Sequence, residues 1–320
     1  MVLLVDVLQI LAGLGILYFG GEWLVRGACL LAEKAGVSPL VIGVTIVAAG
    51  TSTPELVVSL HAAVVGENDI SLGNVVGSNI CNIALILGLA AMLAPTRSLP
   101  TMTNVHTPLM IGVSVLLMLM MYDGWLSLVD GIILIAGLVA YTLFALWESK
   151  RTYTPDASAE SVAPGKGMGY ALLLVGAGLG LLIVGAKLLV DAAVSLAEAA
   201  GVSEAFIGLT IVAVGTSLPE LTTSIIAALR KQGDIAVGNI VGSNIFNILG
   251  ILGVTAVIKP LAMGGITWTD HFVMLGIAVL LLVLLLSGRH QLGRASGAVM
   301  LASYLGYMFW LTTYSLAGGN

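Results

Sequence analysis

The sequence predicts an all-α membrane protein in which ten transmembrane helices form two inverted five-helix repeats, with broken helices at spans 2 and 7. Composition, long apolar runs and an internal duplication support this fold class. The 320 residues are 58% hydrophobic and only 9% charged, whereas soluble domains carry roughly 25% charged residues. So few charges cannot cover the surface of a soluble chain of this size, and we therefore expect the chain to lie in a lipid bilayer.

The apolar runs place the spans along the chain. Together with their small and polar neighbours they reach the roughly 20 residues that a spanning helix requires. The 40 glycines fit this assignment, because small residues let membrane helices approach each other closely. The ten predicted spans cover residues 3–31, 39–65, 69–93, 104–122, 125–148, 168–198, 204–230, 234–258, 269–287 and 293–315.

Residues 149–167 resemble a linker, because they combine Pro, Ser, Gly and charged residues. This segment divides the chain into a first five-helix repeat at 1–148 and a second at 168–320. Because five is odd, the second repeat must enter the membrane from the opposite side. Inverted repeats are typical of secondary transporters, in which the binding site lies near the bilayer midplane between the halves.

The two halves share sequence at a constant shift of 165 residues. The shift aligns GTSTPE at 50–55 with GTSLPE at 215–220. It also aligns GNVVGSNICN at 73–82 with GNIVGSNIFN at 238–247. Over the 21 residues that end at each motif glutamate, 15 positions are identical without a gap, which indicates a duplication.

Loop charges predict the orientation, because cytoplasmic loops of membrane proteins carry an excess of Lys and Arg. The opposite set of loops holds only Lys259. We therefore expect a multi-pass protein of the cell (inner) membrane, with both termini outside and residues 149–167 in the cytoplasm. The basic residues of the loops after the odd-numbered spans are Lys34, Arg97, Lys150, Arg151, Lys166, Arg230, Lys231, Arg289 and Arg294.

The middle of span 2 contains a polar cluster that predicts a broken helix. Pro54 cannot donate a helical hydrogen bond, and its ring clashes with the carbonyl of Gly50. The freed carbonyls must then find a partner in protein, water or an ion, and those of Ala48 and, in span 7, Ala213 are candidates. A carboxylate at bilayer depth, here Glu55, is typical of a functional pathway.

Glu220 occupies the equivalent position in span 7. If the inverted repeats bring Glu55 and Glu220 together, the two carboxylates repel each other and need a cation to remain ionised. Spans 3 and 8 add oxygen ligands, since residues four apart share one helix face. These are Asn74, Ser78 and Asn82 in one repeat and Asn239, Ser243 and Asn247 in the other. Such hard oxygens suit calcium or sodium, and no His or Cys recurs in both motifs to favour zinc or copper.

The paired GTS-x-PE and GN-x-x-GSN-I-x-N motifs resemble the two α-repeats of the sodium/calcium exchanger family, within the cation/calcium antiporter superfamily. The motif regions at 21–93 and 186–258 cover nearly half of the chain, and the ten-span layout fits the family. The short loop at 149–167 lacks a large calcium-sensing domain, so the chain resembles a prokaryotic-type member. The resemblance implies a secondary active antiporter, not an enzyme, that exchanges sodium for calcium by alternating access.

The resemblance also implies a ligand set for the transported ions, calcium and sodium, without a cofactor. The two glutamates would be central ligands of both ions, threonine oxygens would stand beside calcium, and serines with two alanine carbonyls would form outer sodium sites. Some relatives, including potassium co-transporters, carry Asp at the position of Asn247, so its presence implies exchange without potassium. The implied ligands are Glu55, Glu220, Thr51, Thr216, Ser52, Ser217, Ser78, Ser243, Asn82, Asn247, Ala48 and Ala213.

Three alternatives remain open from the sequence. A proton-coupled calcium or divalent cation exchanger would use the same two glutamates, although that branch carries a different acidic motif in place of GTS-x-PE. A cation channel would use the same buried carboxylates. An intramembrane enzyme would activate water at a metal, but no nucleophile-and-base pair recurs in both halves. The expected partners are the two ions and the bilayer, with neither nucleic acid nor an obligate protein partner indicated.

Overall fold

A computed structural model of the chain describes residues 2–152, 165–199, 213–264 and 266–316. Most of the predicted linker at 149–167 and the beginning of predicted span 7, residues 204–212, lie outside the described residues. The other predicted spans coincide with helices to within a few residues, because long apolar runs between polar loops mark helix positions strongly.

The first half of the chain contains six helical segments, two of which are joined at a sharp bend. Their bounds are α1 Val2–Ala35, α2 Pro39–Thr51, α3 Thr53–Val65, α4 Asn68–Leu93, α5 Met102–Asp123 and α6 Leu128–Thr152. Segments α2 and α3 are bent by 45° at Ser52.

The described part of the second half follows the same order. Its segments are α7 Met168–Ala199, α8 Ala213–Thr216, α9 Leu218–Leu229, α10 Gly233–Ile258, α11 Trp268–Ser287 and α12 Arg294–Leu316. Segments α8 and α9 are separated at Ser217, as α2 and α3 are separated at Ser52.

The architecture is helical apart from four two-residue strands in the described residues, and it suits a membrane. Within those residues, seven helices are long and apolar enough to cross a bilayer, or eight if the bent pair α2–α3 forms one span. The helix α12 is of similar length but less apolar, and α9 has only 12 residues. The protein is therefore a multi-pass membrane protein.

Helices α1 and α7 pack along a seam of glycines. A Cβ placed on Gly178 would lie 2.6 Å from the amide nitrogen of Leu24 and 2.9 Å from the carbonyl oxygen of Gly20. One on Gly185 would lie 3.0 Å from the carbonyl oxygen of Gly13. Since Gly13 contacts Gly185 and Gly20 contacts Gly178, the two helices run antiparallel with their backbones in contact.

Two short strand pairs join loops of the two halves. Strand β1 (Thr96–Arg97) pairs antiparallel with β4 (Gln291–Leu292), and β2 (Trp125–Leu126) pairs antiparallel with β3 (Leu261–Ala262). Each pair therefore ties one connection of the first half to one of the second.

Helices α4 and α10 lie at the centre of the molecule. In their most apolar stretches, 78% of α4 and 83% of α10 is buried, against 22% of α6. These central helices nevertheless carry the Asn and Ser residues of the repeated motif, so the polar side chains are enclosed by protein. Such enclosure requires that each buried polar group find a partner.

Candidate metal-binding site

The two helix breaks place the motif carboxylates. Ser52 has backbone angles of φ −82° and ψ 9°, outside the helical conformation, and Pro54 lies in the first turn of α3. Ser217 has φ −89° and ψ 7°, and Pro219 lies in the first turn of α9. The predicted breaks are found at these serines, because proline is tolerated at the start of a helix but not in its interior.

The two carboxylates are buried, and each is hydrogen-bonded to a serine of the other half. Glu55 is 1% exposed and Glu220 is fully buried. The Ser52 hydroxyl donates a hydrogen bond to Glu220 Oε1 at 2.9 Å, and the Ser217 hydroxyl donates to Glu55 Oε1 at 3.2 Å. Each serine at a break therefore holds the glutamate of the other half, which brings both glutamates to one place.

Four buried oxygens on the helix segments that carry the repeated motifs have no hydrogen-bond partner among the described residues. They are the second carboxylate oxygens of the glutamates, Glu55 Oε2 and Glu220 Oε2, and the amide oxygens Asn82 Oδ1 and Asn247 Oδ1. Buried acceptors are almost always partnered in native proteins, and each exception needs an explanation. A group of acceptors without donors, two of them on carboxylates, is what a hard cation requires as ligands.

Thr51 and Ala48 lie beside the first break. The Thr51 hydroxyl is 3.3 Å from the Ala48 carbonyl oxygen and 3.1 Å from Asn239 Oδ1, either of which can accept its proton. The Ala48 carbonyl also accepts the Ser52 amide at 3.0 Å. As an ion ligand it would use its remaining acceptor capacity, because a carbonyl oxygen has two lone pairs.

Four further predicted ligands lie on the central helices and in the second break. Ser78 is buried on α4, and Ser243 is fully buried on α10 with a hydroxyl that has no partner among the described residues. In the second break, Thr216 immediately precedes Ser217 and is partly buried, while Ala213 is the first residue of α8.

Two asparagines of the predicted helix faces hydrogen-bond to the helices that carry the glutamates. Asn74 donates to the backbone carbonyl of Glu55 at 3.2 Å and to the Ser59 hydroxyl at 2.8 Å. Asn239 donates to the Ser224 hydroxyl at 3.1 Å. These amides fix the helices that carry the carboxylates against α4 and α10, since hydrogen bonds between helices persist where water is excluded.

Sequence reasoning missed four buried side chains that the structure brings to the site region: Ser59, Ser224, Asn79 and Asn244. The 165-residue shift relates the two serines to each other and the two asparagines to each other, so the repeat itself contained the signal. It also missed the widened π-helical turns at Asn82–Leu87 and Asn247–Leu252, each of which starts at a predicted ligand. Such turns are frequent at functional sites.

The donor set defines the chemistry. Among the described residues, no group of three or more His, Cys, Asp and Glu side chains could hold a metal ion. The cluster instead combines two carboxylates with neutral amide and hydroxyl oxygens. This combination can bind a hard cation such as calcium or sodium, whereas soft transition metals prefer nitrogen and sulfur ligands.

Comparisons with known proteins agree with this chemistry. The family model described as sodium/calcium exchanger protein matches residues 5–147 and 170–313. The chain is 32% identical to the sodium/calcium exchanger MaX1 of Methanosarcina acetivorans, over 95% of this chain and 97% of that one. It is 37% identical to the inner membrane protein YrbG of Escherichia coli, over 95% and 96% of the two chains. A solved structure of the sodium-calcium exchanger NCX_Mj, soaked with zero Na⁺ and Ca²⁺, superposes with a TM-score of 0.85 at 33% identity, covering 97% of this chain and 100% of that one.

Proposed function

This chain belongs to the sodium/calcium exchanger family, and we propose that it exchanges sodium for calcium across the cell membrane by alternating access. Both ions share one midplane site between Glu55 and Glu220. The observation that carries the proposal is the pair of buried carboxylates. Each has one oxygen held by a serine of the other half and one oxygen without a partner among the described residues.

The proposed ligands comprise the two carboxylates and the oxygens that surround the breaks. The strongest candidates are the unpartnered oxygens of the two glutamates and of Asn82 and Asn247. No hydrogen-bond donor among the described residues contacts these oxygens. Asn247 leaves the charge of the site on two glutamates, which favours exchange without potassium. The further proposed ligands are Thr51, Thr216, Ser52, Ser217, Ser78, Ser243 and the carbonyls of Ala48 and Ala213.

We further propose that ten spans form two inverted repeats, at 1–148 and 168–320, joined by a cytoplasmic segment at 149–167. The antiparallel seam between α1 and α7 supports this arrangement, because these helices are the first spans of the two repeats and inversion makes them antiparallel. The excess of basic residues in one set of loops supports an orientation with both termini outside, and we propose the inner membrane as its location.

In the proposed mechanism, α1 and α7 slide as a pair and expose the site to one side of the membrane at a time. Their backbones are in contact at the glycine seam, so the pair moves as one body against the central helices. An empty site carries two buried negative charges. These charges disfavour the intermediate conformation in which the site is closed to both sides of the membrane. One calcium ion, or more than one sodium ion, neutralises them, so the transition requires bound ions and the two fluxes are coupled.

Calcium-45 uptake into proteoliposomes loaded with sodium tests the proposal. Uptake should require internal sodium and should be absent in potassium-loaded vesicles. Uptake that is driven only by a pH gradient would show that calcium transport is coupled to protons and not to sodium. The proposed site between the two glutamates would be unaffected by that result. Flux that ignores the sodium gradient and shows discrete single-channel currents would indicate a channel instead.

The serine contacts give a first site prediction. Ser52→Ala removes the hydroxyl that donates to Glu220, and Ser217→Ala removes the one that donates to Glu55. Because hydrogen bonds to charged groups contribute about 1.5–3 kcal/mol, each change should raise the KM for calcium about tenfold or more. The two variants should behave alike, since the contacts are equivalent in the two halves.

Thr53→Ala is the matched control for these variants. Thr53 is next to Ser52, but it is exposed, and its hydroxyl donates across the break to the Ala49 carbonyl of α2 at 3.1 Å and not to a carboxylate. Its KM should stay close to that of the unmodified protein. Equal effects of Thr53→Ala and Ser52→Ala would show that the helix break is sensitive to any substitution and that the carboxylate contact is not decisive.

A further inference from the structure

Asn79 and Asn244 form a closed set of hydrogen bonds between the central helices α4 and α10. The Asn79 amide donates to the backbone carbonyl of Asn244 at 3.3 Å, and the Asn244 amide donates to that of Asn79 at 3.1 Å. The two side chains are 1% and 2% exposed. The Nδ2 of Asn79 is also 3.7 Å from the sulfur of Met274. These contacts fix which end of each amide faces the partner helix.

The same two asparagines also contact the predicted ligands Asn82 and Asn247, again across the halves. Asn82 Nδ2 donates to Asn244 Oδ1 at 3.1 Å, and Asn247 Nδ2 donates to Asn79 Oδ1 at 3.0 Å. Each pair therefore joins one residue of α4 to one residue of α10. The arrangement is nearly the same in both directions, as the duplication requires.

An asparagine amide has a donor end and an acceptor end, and the acceptors on Asn79 and Asn244 decide which end faces the cation. The Nδ2 groups of Asn82 and Asn247 are held by these acceptors. The oxygens Asn82 Oδ1 and Asn247 Oδ1 therefore point away from the contact, and they have no partner among the described residues. A flipped amide would place oxygen against oxygen at the contact and would present an NH₂ group to the ion. Both changes are unfavourable for cation binding.

We propose that Asn79 and Asn244 are positioning residues, which orient the amide oxygens of Asn247 and Asn82 toward the transported cation without ligating it themselves. The proposal rests on the cation site of the proposed function and adds two residues to its machinery. The competing explanation is that these asparagines only hold α4 and α10 together. The two explanations differ in what a substitution does to ion affinity at constant stability.

The Asn79→Leu variant tests the proposal, because leucine fills a similar volume and removes the acceptor. The KM for calcium in sodium-loaded proteoliposomes should rise about five- to tenfold, as expected for one lost buried hydrogen bond, while the maximal rate changes less. The stabilisation that calcium gives against thermal unfolding in detergent should shrink in parallel. If Asn79→Leu does not yield folded protein, Asn79→Ala removes the same acceptor and carries the same expectation.

The crossed pairing provides a matched control on the same helix. Asn79 contacts Asn247 and not Asn82, although Asn82 is only three residues away. Adding Asn79→Leu to Asn247→Ala should therefore raise the KM little further, whereas adding it to Asn82→Ala should raise it by nearly the full factor. Coupling of this kind identifies residues that act through one another.

The outcomes separate this proposal from the proposed function. An Asn79→Leu variant with lower thermal stability in ion-free buffer and an unchanged KM would overturn the positioning role alone. Equal, additive effects in the Asn82→Ala and Asn247→Ala backgrounds would overturn it as well. Unmodified protein that takes up no calcium and gains no thermal stability from calcium or sodium would overturn the proposed function, and this inference with it.

Discussion

Glu55→Gln and Glu220→Gln should each abolish sodium-driven calcium uptake. Glutamine keeps the size of the side chain and its hydrogen-bonding oxygen, so the serine contact to each residue can persist. The loss of one negative charge leaves a buried divalent ion without full compensation. Breaking a buried charge pair costs about 3–5 kcal/mol, which corresponds to calcium binding that is weaker by a factor of roughly one hundred to several thousand. Calcium-45 uptake into sodium-loaded proteoliposomes measures the effect.

Glu67→Gln is the control for charge removal, because Glu67 is exposed just before α4 and lies outside the proposed site. It should transport normally. The two site variants should remain folded in ion-free detergent, since each relieves the repulsion between two buried carboxylates. They should also lose the thermal stabilisation by calcium. Full calcium uptake by Glu55→Gln would contradict the proposal that calcium and sodium share a site between Glu55 and Glu220.

The helix breaks and the carboxylates were predictable because their causes are local. Pro54 and Pro219 disrupt a helix through their own ring and missing amide hydrogen, whatever surrounds them. A glutamate in an apolar span is also recognisable locally, because an ionisable side chain at bilayer depth is energetically costly. The structure accordingly places the breaks at Ser52 and Ser217, within two residues of each proline.

The partners of these residues were not predictable, because they depend on how the two halves meet. Nothing local indicates that Ser52 contacts Glu220 rather than Glu55. The i,i+4 rule grouped Asn74 with Asn82, yet Asn74 bonds to Glu55 and Ser59. Both partners lie on α3, so the contacts of Asn74 depend on how α3 packs against α4, which spacing within one helix does not specify.

The glycine seam between α1 and α7 could likewise not be predicted in detail from the sequence. Composition indicated close helix packing in general, but the glycines that meet were not identifiable from their number alone. Gly13, Gly20, Gly178 and Gly185 meet because α1 and α7 cross in one particular register. Two of these glycines correspond to the other two at the 165-residue shift, so the duplication gives both helices the same small-residue stripe. The register decides which glycines can accept a side chain.

Gly178→Leu should therefore destabilise the protein strongly and stop transport. The new Cβ alone would lie 2.6 Å from the Leu24 amide nitrogen and 2.9 Å from the Gly20 carbonyl oxygen, and backbone atoms cannot rotate away. Overpacking a well-packed site costs typically about 1–3 kcal/mol, and we expect the upper end or more because two helices must separate. Thermal unfolding in detergent and calcium uptake both report the change.

Gly176→Leu, two residues earlier on α7, is the matched control for this prediction. Gly176 is exposed, and a Cβ there would meet no heavy atom of the described residues within 4 Å. Leucine also has a higher helix propensity than glycine, by somewhat under 1 kcal/mol, so the control should be as stable as the unmodified protein and equally active. If Gly178→Leu matched it in both assays, α1 and α7 would not be in backbone contact. They would then be free to move separately, and the proposed paired sliding would have to be abandoned.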